Sequence, residues 1–105
     1  MNDLKCPRWL SKEAKKEWNR IVPLLKNVCM LDIAGLSVYC NAYAKWIDIE
    51  EQLKNEPETL IGSKGRRYIN PLLMVSDMYK KQMDNYVRKF KIPNKNKKDG
   101  GVNVN

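Results

Sequence analysis

A small all-α bundle is the fold this chain of 105 residues predicts, and three observations predict it. Apolar residues recur at spacings of three and four in three separate segments. Residues that start and stop helices bracket those segments. Proline and glycine punctuate the chain between them, at Pro23, over Pro57 to Gly65 and at Pro93. The expected layout is three main helices, at about 11–22, 32–55 and 71–89, forming one helical domain over 1–93 with a disordered basic tail over 94–105.

The first helix opens at Ser11, a good N-cap, with Glu13 in the first turn where the helix dipole favours an acid. Leu10, Ala14, Trp18, Ile21, Val22 and Leu25 then form one apolar face. Pro23 lacks the N–H of an interior helical residue and disfavours helix at Val22, so the regular helix stops there and 24–31 is a connector.

The second helix is the longest and ends ahead of Pro57. It carries two apolar stripes rather than one: Leu36, Cys40, Tyr43 and Ile47, and separately Val38, Ala42, Trp46, Ile49 and Leu53. Two stripes imply burial on two sides. The first and third helices of so short a chain offer one apolar face each, so one stripe is left for an interface between subunits. The sequence does not decide which of the two faces inward; Val38, Ala42, Trp46, Ile49 and Leu53 are expected to be the interface, since a small core gains from such burial.

Turn residues Pro57, Gly62, Ser63 and Gly65 break the periodicity between the second and third helices, flanked by Thr59-Leu60-Ile61 and Tyr68-Ile69. A short hairpin and a loop are both compatible with this segment. Asn70-Pro71 is a clear helix start, asparagine as N-cap and proline at the first helical position. Leu72, Val75, Tyr79, Met83, Tyr86, Val87 and Phe90 carry the third helix to Pro93. The lysine, asparagine and glycine of 94–105 bury too little to offset the entropy of ordering them.

Formal net charge is +8 and the isoelectric point about 9.5, which suits a polyanionic partner. The charge sits at the ends: 1–23 has six cations against three acids and 80–105 eight against two, whereas 24–57 has three against five. No apolar run approaches the roughly 18 residues of a membrane span and the start lacks a secretory apolar segment, so a soluble intracellular protein without a membrane partner is expected.

Histidine is absent and no Gly-rich phosphate loop of the Walker type occurs. Cys6, Cys29 and Cys40 are odd in number and widely spaced, which supports neither a disulfide framework nor a zinc site. Asp48, Glu50 and Glu51 read as a solvated helix face or inter-subunit ion pairs before they read as metal ligands. No catalytic residue, metal or cofactor is expected, and the chain is read as not an enzyme.

Three cationic groups are candidates for DNA contact. Lys12, Lys16 and Arg20 line one edge of the first helix, where Glu13 and Glu17 weaken their field by pairing with Lys16 and Arg20 at i+3. Lys64, Arg66 and Arg67 share the glycine-containing segment with Tyr68, and arginine suits phosphate geometry. Lys91, Lys95, Lys97 and Lys98 form the densest positive segment, equally explained as a solubilising tail. Trp9, Trp18 and Trp46 lie at or beside helical core spacings, which favours packing over base stacking.

The stretches Leu10 through Trp18, Arg20-Ile21-Val22-Pro23-Leu24, Asp32 through Leu36 to Tyr39-Cys40, Tyr43-Ala44-Lys45-Trp46 and Asn70-Pro71-Leu72 together resemble the small terminase subunits of tailed phages and prophages, from about Pro7 to Pro93. Two positions depart from that family's pattern. Cys29 stands where a threonine usually opens the second helix, so Asp32 is expected to serve in the cap, and Phe90-Lys91-Ile92-Pro93 lacks the usual glycine after the phenylalanine. The resemblance implies a ring-like homo-oligomer in the host cytoplasm that binds concatemeric double-stranded DNA and hands it to the large terminase subunit, which holds the ATPase and nuclease. A protein-binding scaffold with no DNA contact is the alternative; a small helix-turn-helix regulator fits the long second helix poorly.

Overall fold

A computed structural model of the chain describes residues 4–93. Helix α1 spans Lys12–Ile21, α2 Ile33–Leu53 and α3 Pro71–Phe90, with single 3-10 turns at Val22–Leu24 and Met30–Asp32. Between α2 and α3 a two-stranded antiparallel sheet pairs β1, Thr59–Ile61, with β2, Arg67–Ile69. The fold is therefore mostly rather than strictly all-α: of the two forms left open for this segment, the hairpin is the one adopted. Lys95, Lys97 and Lys98, with the rest of the expected tail, lie outside the described residues.

The predicted face of α1 builds the core. Leu10, Ala14, Trp18, Ile21, Val22 and Leu25 are all buried, and they meet Leu36, Tyr39 and Cys40 of α2 and Ile92 beyond α3. Ser11 caps α1 as expected, its hydroxyl accepting the Ala14 N–H at 3.2 Å. Trp9, expected to pack, is exposed, because Leu10 takes the inward position at this turn.

Helix α2 is sandwiched, α1 along one side and α3 along another. The stripe expected to lack cover inside the chain is partly covered: Ala42 and Ile49 are buried, and Val38, Trp46 and Leu53 are half-buried. The two stripes also adjoin. Three residues turn a helix through all but about 60° of a circle, so Trp46 lies beside Tyr43 and lines with it and Ile47 a groove against Met83 and Val87 of α3.

The two departures from the family pattern have local solutions. The Asp32 carboxylate accepts the Cys29 backbone N–H at 2.9 Å, which is the returning half of a capping box. At the other end Lys91 adopts the left-handed conformation, φ 55°, that glycine favours. The Ile92 N–H then reaches the Val87 carbonyl at 3.1 Å and Ile92 folds back into the core, the hydrogen bond and apolar contact of a Schellman cap. The exit from α3 is thus capped without a glycine, at the cost of an unfavourable lysine backbone.

Candidate nucleic-acid interface

The cationic residues divide by what their charge already meets. On α1, Glu17 sits on the apolar face beside Trp18 and is only 2% exposed. Its carboxylate accepts two hydrogen bonds from the Arg20 guanidinium, at 2.8 and 2.7 Å, and one from the Tyr39 hydroxyl at 2.7 Å. A buried carboxylate needs such partners, since burying an unpaired charge costs several kcal/mol (~). Half-buried Arg20 is thereby tied to a core carboxylate, and its pKa is raised, first by the hydrogen bond to Glu17. The Tyr39 phenol is pushed well above its ordinary range by burial and then by the same carboxylate.

Lys16 pairs with Glu13 at 3.5 Å on the exposed surface, and Lys12 is exposed with no ion pair among the described residues. The predicted row of three cations on α1 thus presents three different situations. Exposed Lys91 follows α3 and is the one tail candidate that is described.

The hairpin differs. Lys64, Arg66 and Arg67 are exposed, and none has an ion-pair or side-chain hydrogen-bond partner among the described residues. The strands pair Thr59 with Ile69, Leu60 with Tyr68 and Ile61 with Arg67. The Gly62 N–H donates to the Arg66 carbonyl at 2.7 Å, and the Gly65 N–H to the Gly62 carbonyl at 3.0 Å. Gly65 has φ +75°, a left-handed position that closes a three-residue loop with little cost for glycine alone. Ser63, Lys64, Arg66 and Tyr68 surround a concavity at the tip.

Asn70 fixes this hairpin to the helices. Its carbonyl oxygen accepts the Leu72 N–H at 3.0 Å as the α3 cap, while its amide donates to the Glu56 carboxylate at 3.0 Å and the Pro57 carbonyl at 3.1 Å. A second tie joins the helices directly: the Ser76 hydroxyl donates to Glu50. The acidic residues of α2 do not converge, since Asp48 accepts from Gln52 and Glu51 pairs with Lys54. Among the described residues, no three potential metal-ligating side chains come together.

Cys40 is buried, which pushes its thiol up to about 12, with the nearby Glu17 charge adding to the effect. Burial raises the Cys6 thiol too, and Cys29 is exposed. No helix of the described residues is long and apolar enough to cross a membrane.

From the sequence Glu17 reads only as an i+3 partner for Arg20 on the helix surface. Its position among Ala14, Trp18 and Ile21 on the apolar face was the available signal for burial. Nothing in the sequence pointed to Tyr39 as the third member, because that contact joins residues 22 apart.

Three packed helices carry a hairpin whose exposed cations are displayed on an element held by the helices. A family model described as phage terminase, small subunit, matches residues 14–102, and the chain belongs to that family, with a role in phage DNA packaging. No significant match was found among curated proteins or among solved structures.

Proposed function

We propose that the chain is the DNA-binding adaptor of the packaging machine: a non-enzymatic homo-oligomer, ring-like, that holds concatemeric double-stranded DNA and presents it to the large terminase subunit in the host cytoplasm. The observation that carries the DNA contact is the free charge of Lys64, Arg66 and Arg67 on an exposed hairpin. Such cations release counterions when they meet phosphates, and nothing in the described chain neutralises them first. Lys12, Lys16 and Lys91 supplement them, as do Lys95, Lys97 and Lys98 in the sequence that follows; Arg20 is withdrawn by its bond to Glu17. For assembly, Val38, Trp46 and Leu53 are the half-buried members of the second stripe open to a neighbouring copy, whereas Ala42 and Ile49 are already enclosed.

A salt titration of duplex binding tests the first part. Affinity should fall steeply with salt, and an absence of binding at low salt would favour the scaffold reading. Light scattering tests the second: a mass well above the 12.3 kDa of one chain is expected, and Trp46→Glu should lower it while helical content survives. A monomer at high concentration would remove the ring.

A further inference from the structure

The two hairpin arginines are adjacent in sequence, so on a strand they point to opposite sides. The register puts Leu60, Gly62, Arg66 and Tyr68 on one face of the ribbon, and Thr59, Ile61, Arg67 and Ile69 on the other. Lys64 lies at the tip between them. A flat anionic surface laid against this ribbon meets one arginine and leaves the second in water. Both are satisfied together only by a partner that carries negative charge on two walls and admits the ribbon between them.

We propose that the hairpin inserts into the major groove of double-stranded DNA, with Arg66 and Arg67 each reaching the phosphates of one wall and Lys64 leading at the tip; this rests on the DNA-binding reading above. Groove dimensions select the major groove. It is about 12 Å wide and admits a two-stranded ribbon, whereas the minor groove is about 6 Å wide. Asn70 holds the ribbon at its root through Glu56 and Pro57, so insertion does not require a disordered segment to be fixed.

The test compares the full chain with Arg66→Ala, Arg67→Ala and the double variant, each checked for helical content by circular dichroism. Duplex binding is followed by fluorescence anisotropy over a range of salt. Each single substitution should lower the salt slope by about 0.9 and the pair by about 1.8, one phosphate contact for each arginine. Methyl green, which occupies the major groove, should displace the protein, and netropsin, which occupies the minor groove, should not.

If one arginine carries the whole slope change and the other none, the contact is one-sided and the proposal fails. Displacement by netropsin alone overturns the choice of groove. Unchanged DNA binding in the double variant, with a smaller sedimenting species, would make the ribbon a contact between copies instead. Wild-type protein that binds no duplex at low salt would remove the DNA-binding reading itself, an outcome distinct from the other three.

Discussion

Arg20 on α1 and Arg66 and Arg67 on the hairpin are the same residue type in the same basic chain, yet they occupy opposite physical situations. Arg20 is held by two hydrogen bonds to a carboxylate that is almost wholly buried, and that carboxylate also binds Tyr39 across the α1–α2 contact. The hairpin arginines have solvent around them and no acid to meet among the described residues. A guanidinium already bonded twice to a buried carboxylate gains little from a phosphate, because those bonds would have to break. Charge used within the fold and charge left exposed are therefore separated between two regions; the Glu17–Arg20 pair cancels within the net +8, so the net charge does not by itself tell which cations are unpaired.

The sharpest way to break this contrast is to remove the acid. Glu17→Ala leaves Arg20 partly buried without its partner and takes the acceptor from the Tyr39 hydroxyl. A loss of about 3 kcal/mol is expected, the scale for breaking one side of a buried ion pair. Urea denaturation measures it. A loss below about 1 kcal/mol, the range of exposed pairs, would mean that Glu17 and Arg20 contribute as a surface pair does and that Arg20 belongs with the hairpin cations after all.

Asn70 joins the hairpin root to the start of α3, so its replacement loosens the hairpin from the helices at a smaller cost. Asn70→Ala removes the α3 cap, worth about 1 kcal/mol, and also frees the hairpin root from Glu56 and Pro57. Amide exchange of β1 and β2 should accelerate far more than that of α1, whose core does not depend on Asn70. Uniform acceleration through all three helices would show that the hairpin and the helical core open as one unit.

The helices were legible because their determinants are local: the i, i+3, i+4 recurrence of Leu10 to Leu25, the Ser11 cap, and the Asn70-Pro71 start. The side of α2 that needed a partner was not, since the cover over Ala42 and Ile49 depends on how the other elements pack along α2, and no periodicity within α2 encodes that. The hairpin stayed undecided because Thr59 to Ile61 and Arg67 to Ile69 are three-residue strands with little burial, too short for alternation to separate them from a loop. Of the candidate site, the hairpin cations could be named from sequence, while the fate of Arg20 turned on the burial of Glu17 and on Tyr39, a contact between distant residues.

The smallest expected effect on stability is also the one that completes the comparison. Arg66 and Arg67 touch no carboxylate among the described residues, and the strand that Arg67 belongs to is exposed at every position. Replacing both with alanine removes no buried bond and opens no cavity, so unfolding free energy should change by less than about 0.5 kcal/mol. Duplex affinity should nevertheless fall. Arg20→Ala should do the reverse: it strands the Glu17 carboxylate in the core, destabilising the fold by far more than the double hairpin variant, and it leaves the salt slope of DNA binding unchanged wherever the protein remains folded. Chemical denaturation and anisotropy on the same three proteins give both readings. If the hairpin variant loses stability as Arg20→Ala does, its arginines are structural; if Arg20→Ala lowers the salt slope in folded protein, the division of charge between fold and partner is wrong.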